Sequence, residues 1–186
     1  MKPIIILNGP PGCGKDTIAS RLTKHQYIGM SFKSPMFRIA KTVLGPNRFD
    51  DFMKKYNNRK LKEKVWPVIG MSPRQFMIHV SEDFVKPLMG QNTFGYLAAE
   101  DVKVIISDMP WAKGVVFSDG GFPSELEDLS KVEGAFPFVV RLYREGYTFE
   151  GDSRNYMETS DLDITLVDGK PELAVLEIMG TLYERI

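Results

Sequence analysis

The sequence predicts an α/β protein in which helices cover both faces of a parallel β-sheet. Short apolar runs alternate along the chain with longer segments whose apolar residues recur at helical spacing. Such alternation favours parallel strands joined by helices. A glycine-rich turn follows the first apolar run and leads directly into an amphipathic segment. Because ligands bind at the carboxyl ends of parallel strands, polar residues after each strand are the first candidates for a site.

Five strands are predicted from apolar runs that are bounded by turn residues. They cover residues 3–8, 27–32, 114–119, 137–142 and 163–167. The runs at 114–119 and 137–142 are almost continuously apolar, as expected of strands that are buried on both faces.

Helices are predicted where apolar residues recur every three to four positions. They cover residues 15–25, 36–43, 94–107, 123–132 and 171–184. One more helix is predicted to start at Ser72, with that serine as N-cap and Pro73 at the first helical position. The run 102–106 also fits a strand. The polar segment 47–71 is weakly periodic and is expected to contain helical pieces and loop.

Length and composition indicate a soluble, cytoplasmic protein with a single domain (the host cytoplasm, if a bacteriophage encodes it). The 186 residues suffice for one core, for which we predict a helical acceptor-binding lobe at about 36–108 and a lid at about 144–160. The single cysteine, Cys13, excludes an internal disulfide, which suits a reducing compartment. We see no signal peptide and no run long enough to span a membrane.

Basic residues are concentrated between residues 31 and 74. Eleven Lys and Arg residues stand there against three Asp and Glu, although the whole chain has a net charge of zero. This excess predicts an anionic partner, either a nucleotide or a nucleic acid such as DNA. For 54–64, a solvated helical face explains the pattern equally well. Monomer and homodimer both remain open.

The turn at 9–17 has the sequence and flanks of a phosphate-binding P-loop, Gly-Pro-Pro-Gly-Cys-Gly-Lys-Asp-Thr. Glycines let the backbone wrap around an anion, and the N-terminus of the following helix favours negative charge. Lys15 is expected to reach the outer phosphates of a nucleoside triphosphate. The predicted nucleotide-binding residues are Gly9, Gly12, Cys13, Gly14, Lys15, Asp16 and Thr17. Cys13 is most simply a small residue that fits, and a redox role is the alternative.

Three residues are predicted to serve a magnesium ion. Asp16 stands where a P-loop normally has Ser or Thr, and a carboxylate is also a good Mg²⁺ ligand. Thr17 is available for a phosphate or metal contact. Asp119 ends the third predicted strand, where an acid can orient Mg²⁺ in a phosphotransferase. A strand-end turn or helix cap is the structural alternative for Asp119.

Five arginines are candidates for phosphate binding, because a guanidinium is planar, permanently charged and bidentate. They are Arg38, Arg74, Arg141, Arg144 and Arg154. Arg38 and Arg74 are expected to hold an acceptor phosphate, and Arg141 is assigned to the same substrate. Arg144 and Arg154 are assigned to catalysis, with Arg154 closing over ATP from the lid and excluding water. We expect about three of the five to contact phosphate.

Four other side chains complete the predicted acceptor site. Lys33 follows the second strand within the basic region. Gln75, His79 and Glu82 share one face of the helix that starts after Ser72, and an ordinary helix surface explains them equally well. Two histidines without a neighbouring cysteine do not indicate a metal site of their own.

Several segments together resemble the deoxynucleoside monophosphate kinases of bacteriophages. The P-loop with Asp after its lysine is the specific one, and three shorter segments follow in the same order. These are Ser-Phe-Lys-Ser-Pro at 31–35, Ser-Pro-Arg-Gln-Phe-Met at 72–77 and Ser-Asp-Gly-Gly-Phe-Pro-Ser-Glu at 118–125. Gly120 and Gly121 stand where that family usually has an arginine. The likeness extends from residue 4 to about 169.

The resemblance implies a nucleoside-monophosphate-kinase fold, a three-layer P-loop sandwich that uses ATP and Mg²⁺. It implies transfer of the γ-phosphoryl group to a deoxynucleoside monophosphate. Related phage P-loop kinases instead phosphorylate a hydroxymethylated pyrimidine, such as 5-hydroxymethyluracil, within DNA, and the basic region suits that alternative. A non-catalytic nucleotide-binding regulator is a third hypothesis, although Lys15 and Asp119 are both retained.

Overall fold

The structure is a computed structural model that describes residues 1–120, 123–152 and 154–185. Contacts divide the chain into two compact units. The sheet unit consists of Met1–Phe32 and Gly95–Ile186, and the helical unit consists of Lys33–Phe94. The region predicted as a lobe, 36–108, therefore extends beyond the helical unit, because the residues from Gly95 onward group with the sheet.

The sheet unit contains five strands that all run parallel, in the order β2-β3-β1-β4-β5. The strands are β1 Lys2–Asn8, β2 Tyr27–Met30, β3 Gly114–Phe117, β4 Ala135–Tyr143 and β5 Leu162–Thr165. The predicted α/β class with a parallel central sheet is confirmed. Since β1 is the central strand, the turn that follows Asn8 opens at the middle of the carboxyl edge of the sheet.

Eight α-helices and one π-helix connect or follow the strands within the described ranges. In chain order the α-helices are α1 Lys15–Thr23, α2 Ser34–Leu44, α3 Pro46–Tyr56, α4 Pro73–Ile78, α5 Lys86–Met89, α6 Thr93–Asp108, α7 Pro123–Leu129 and α8 Pro171–Arg185. The π-helix His79–Val85 joins α4 to α5. None of the described helices is long and apolar enough to cross a bilayer.

Helices pack on both faces of the sheet, because alternate residues of β1 point to opposite sides. Ile5 and Leu7 share one core with residues of α1 and α8. Ile4 and Ile6 share the other core with residues of α6 and α7. All four β1 side chains are fully buried, and each such burial contributes about 1.5–3 kcal/mol. The central strand is thereby held rigidly beneath the turn that follows it.

The helical unit has a small aromatic core of its own. Phe52 of α3 is fully buried and packs against the rings of Tyr56, Trp66 and Phe76. The segment 47–71 thus contains α3 followed by turns. Of the two alternatives for 102–106, the structure shows the helix.

Several predicted boundaries differ from the structure by two or three residues, and two differences have identifiable reasons. The second strand ends at Met30, two residues early, because the backbone N–H of Phe32 donates to the Asp119 carboxylate (3.1 Å) and leaves the strand ladder. The helix that starts after Ser72 continues as the π-helix from His79. No periodicity argument distinguishes a π-helix from an α-helix over seven residues.

Candidate functional site

The glycine-rich turn wraps closely around the end of β1. Gly12 and Gly14 have positive φ angles of 78° and 123°, which other residues rarely adopt. Gly9 is required by a close approach instead, since a Cβ there would lie 2.8 Å from the Leu142 carbonyl oxygen and 3.0 Å from Cys13 Sγ. Only glycine fits these three positions without strain, so the turn is a built backbone feature.

Lys15 opens α1 and points back into the turn. Its ammonium group donates to the carbonyl oxygens of Gly9 (2.5 Å) and Pro10 (2.6 Å), and the side chain is almost completely buried. Burial is the largest influence on the pKa of Lys15 and lowers it. Arg154 lowers that pKa further, whereas Cys13, Asp16 and Asp152 oppose the shift. A buried cation that is crowded by a second cation gains from an anion between them. This is the electrostatic condition expected of a phosphate-binding lysine.

The first turn of α1 carries Asp16 and Thr17, which face a groove that Ser20, Arg21 and Lys24 also line. Gly14 is the N-cap, and among the described residues no side chain caps this helix end. The first backbone N–H groups of α1 are therefore available to an anion, where the helix dipole also favours negative charge.

A magnesium ion here would depend on the substrate for most of its ligands. Within the described ranges, no three His, Cys, Asp or Glu side chains stand close enough together to hold a metal ion. Mg²⁺ is commonly bound by one or two carboxylates together with phosphate and water oxygens. Asp16 and Asp119 fit that donor chemistry as single carboxylates.

Asp119 follows β3 and ties two strand ends together. Its carboxylate accepts from Ser31 Oγ (2.6 Å) and from the backbone N–H of Phe32 (3.1 Å). These bonds give Asp119 a structural role at the ends of β2 and β3, and its metal role stays a prediction. Gly120 is buried next to it, and a Cβ there would lie 2.4 Å from Ile6 Cγ2, so glycine is needed for packing. Gly121 lies outside the described residues.

Arg144 connects the carboxyl end of β4 with the turn. Its Nη1 donates to the carbonyl oxygen of Cys13 (3.2 Å), while Nε bonds Asp168 (2.9 Å). The guanidinium also lies over the ring of Tyr147, 4.8 Å from its centroid. The structure thus brings Arg144 to the turn, and its assignment to catalysis stays a prediction. Asp168, which holds it, was not among the predicted site residues.

Arg154 forms a two-pronged ion pair with Asp152. Nε and Nη2 of Arg154 each lie 2.9 Å from a different oxygen of that carboxylate. Hydrogen bonds from Arg154 hold the pKa of Asp152 at about 2, and the Asp152 carboxylate raises the pKa of Arg154. The more distant charges that act on Arg154 are those of Asp119 and Glu125. Arg154 therefore belongs to the same electrostatic group as Lys15 and Asp119.

Arg141 is engaged by its neighbours on the sheet. Its Nε and Nη2 donate to Asp163 on β5 at 2.7 and 2.6 Å, and Nη1 donates to the carbonyl oxygen of Met157. These contacts give Arg141 a structural role, and its assignment to a substrate stays a prediction. Tyr156, which lies next to Met157, stacks on the Tyr143 ring with a centroid distance of 4.6 Å.

The other predicted acceptor residues all lie in the helical unit. Arg74 pairs with Glu63 (3.3 Å), and the Gln75 side chain accepts from the backbone N–H of Ser72 in a capping box. His79 pairs with Asp83, and Glu82 accepts from Lys86. Lys33 is the N-cap residue of α2, and Arg38 lies in the N-terminal half of that helix. Gln75 is therefore a helix cap, which the Ser-x-x-Gln pattern already indicates.

Asn8 is a residue of the site that the sequence analysis missed. It is the last residue of β1 and is fully buried, and its side-chain amide bonds the backbone of residues 155 and 157. The only available signal was a polar residue at the end of an otherwise apolar strand. Its partners, almost 150 residues away, could not be identified from local patterns.

No protein-family model matches the chain, and no curated protein matches it in sequence. Among solved structures, the chain is similar to a dephospho-CoA kinase from Campylobacter jejuni, with a TM-score of 0.49 and 10% sequence identity. That similarity covers 97% of this chain and 96% of the other. The fold described above, a parallel five-strand sheet with a glycine-rich turn between β1 and α1, rests on this chain's own strand order and geometry.

Proposed function

We propose that the protein is an ATP- and Mg²⁺-dependent phosphotransferase. The observation that carries the proposal is the buried Lys15 inside a turn whose glycines adopt positive φ angles at the end of the central strand. A backbone cradle with one inward-pointing ammonium group matches the outer phosphates of a nucleoside triphosphate. Arg144 and Arg154 add two more cations at the same edge of the sheet unit.

Each group has a defined task in this proposal. The backbone N–H groups of the turn and of the first turn of α1 bind phosphate oxygens, and Lys15 neutralises charge on the transferred group. Asp16 and Asp119 orient the magnesium ion, which lowers the barrier by neutralising charge on the phosphates. Arg154 releases the Asp152 carboxylate and binds the phosphates in its place, since a carboxylate and a phosphate are both bidentate partners for a guanidinium.

The distribution of charge favours a polyanionic acceptor. The helical unit carries twelve Lys and Arg against five Asp and Glu, whereas the rest of the chain carries twelve against nineteen. A net charge of +7 in 62 residues exceeds what one nucleotide phosphate requires. We therefore favour a hydroxymethylated pyrimidine within DNA, the hydroxyl of which attacks the γ-phosphorus as ADP leaves. A free deoxynucleoside monophosphate is the second candidate.

Radiolabelled ATP distinguishes these acceptors directly. The protein is incubated with γ-labelled ATP and Mg²⁺, together with each deoxynucleoside monophosphate or with DNA that contains 5-hydroxymethyluracil. We expect label in the modified DNA and none in matched thymine DNA. Label in a free nucleotide identifies a monophosphate kinase. Binding of ATP without transfer to any acceptor contradicts the enzyme proposal and favours a nucleotide-binding regulator.

Reversing two charges of the helical unit tests its proposed contact with DNA. Lys60 and Lys64 are exposed, and changing both to Glu is expected to weaken DNA binding and to reduce its salt dependence by about two counterions. The matched control reverses the exposed Lys103 and Lys113 of the sheet unit, which alters the net charge equally. Titrations at several salt concentrations measure both effects. Equal losses of DNA affinity in the two variants would show a general effect of net charge and would contradict a DNA contact at Lys60 and Lys64.

A further inference from the structure

Asn8 has both ends of its side-chain amide engaged. Its Nδ2 donates to the carbonyl oxygen of Asn155 (3.0 Å), and its Oδ1 accepts from the backbone N–H of Met157 (2.9 Å). A single amide supplies one donor and one acceptor to two backbone groups that are two residues apart. Because Asn8 is fully buried, losing either bond leaves a polar group without compensation from water.

Two more contacts hold the same segment. The Tyr156 hydroxyl donates to the carbonyl oxygen of Leu142 (3.2 Å), and Arg141 Nη1 donates to the carbonyl oxygen of Met157 (3.2 Å). The Met157 side chain is 4% exposed and packs in the core with Ile4 and Ile6 of β1. Among these contacts, the Asn8 amide alone joins the segment to the residue that precedes the glycine-rich turn.

The arginine of the proposed site immediately precedes the clasped segment. Arg154 is covalently attached to Asn155, and its guanidinium is directed by the ion pair with Asp152. Its charge also depresses the pKa of Lys15, although burial is the larger cause. The end of β1 is therefore connected to both cations. Its backbone leads through Gly9 to the turn and Lys15, and the Asn8 side chain holds the segment that directly follows Arg154.

We propose that Asn8 is a positioning residue that holds Arg154 at the carboxyl edge of the sheet by clasping residues 155–157 to the end of β1. The inference rests on the proposed function in one respect, namely that the ligand of Arg154 is the phosphate chain of a nucleotide. Asn8 touches neither the nucleotide nor the acceptor in this assignment. It acts through the backbone that carries Arg154.

Hydrogen exchange tests the clasp without any nucleotide. The Asn8→Ala variant is expected to exchange the Met157 amide at least about tenfold faster than the original protein, since one hydrogen bond in a buried setting is worth about that factor. Glu158→Ala is the matched control, because Glu158 directly follows the clasped segment and its side chain is exposed. Exchange at Met157 should stay within about twofold there. Unchanged exchange in Asn8→Ala would overturn the clasp.

A double-mutant cycle tests the link to Arg154. Asn8→Ala and Arg154→Ala should each weaken ATP binding, by about tenfold, and the double variant should be no weaker than Arg154→Ala alone. Additive losses would contradict a role through Arg154. Affinity is measured by calorimetry, so the result does not depend on phosphoryl transfer. If the unsubstituted protein binds ATP but transfers no phosphate, the proposed enzyme activity is refuted. The double-mutant cycle then still decides whether Asn8 acts through Arg154.

Asn8→Asp keeps the test valid if Asn8→Ala does not fold. The introduced carboxyl group accepts from Met157 when ionised, and it donates to Asn155 only when it is protonated. Burial raises the pKa of a carboxyl group, so the protonated form accumulates as the pH falls. We expect the ATP affinity of this variant, relative to the original protein, to recover at lower pH. A pH-independent ratio would overturn the proposal.

Discussion

Lys15→Ala is expected to reduce phosphoryl transfer by about 100- to 1,000-fold, the usual consequence of removing one group that stabilises transition-state charge. The Lys15 ammonium is the buried cation of the glycine-rich turn, held by the carbonyl oxygens of Gly9 and Pro10. Alanine keeps the glycines of the turn and removes the ammonium group together with its two hydrogen bonds. Initial rates with γ-labelled ATP measure the effect.

Lys113→Ala is the matched control for this prediction. Lys113 is exposed and directly precedes β3, at the opposite end of that strand from Asp119, so its loss removes an equal charge away from the turn. Rates should remain within about twofold of the original protein, as for most surface substitutions. A Lys15→Ala variant with full activity would exclude the turn from the chemistry, whatever its stability.

Gly114→Ala is expected to lower the free energy of unfolding by about 3 kcal/mol or more. A Cβ at Gly114 would lie 2.3 Å from the carbonyl oxygen of Pro3, a backbone atom of the central strand. The oxygen cannot move without disturbing the pairing of β1 with β3, on which the position of the turn depends. Urea denaturation followed by circular dichroism measures the change.

Gly180→Ala serves as the opposite control. Gly180 is an exposed position within α8, and a Cβ there meets no other heavy atom within 4 Å among the described residues. The substitution is expected to raise stability by about 0.5–1 kcal/mol, because alanine favours a helix more than glycine does. Similar losses in both variants would refute the steric explanation for Gly114.

The path from β1 through the turn to α1 could be predicted from sequence because its signals are local. An apolar run, glycines at fixed spacing and an amphipathic segment together define strand, turn and helix within 25 residues. The parallel class followed in the same way from the alternation of strands and helices. The order in which the strands pair could not be predicted from the sequence and is seen only in the structure.

The contacts around the turn could not be predicted, because they join distant residues. Asn8 bonds residues 155 and 157, Arg144 is held by Asp168, and Asp119 ends β2 by accepting from Phe32. Each depends on which strand ends become neighbours in the sheet. Gln75 is a different case, since its capping pattern was visible and the interpretation as a substrate contact took precedence over it.

The single cysteine of the chain provides an intrinsic reporter of the turn. Cys13 is fully buried, with its sulfur 3.9 Å from Lys15 Nζ, so an alkylating reagent reaches it only when the turn opens. With no other thiol in the chain, the labelling rate measures the population of that open state without any substitution. The same atom therefore lets local opening of the turn be followed in the unmodified protein, with any candidate ligand added as a competitor.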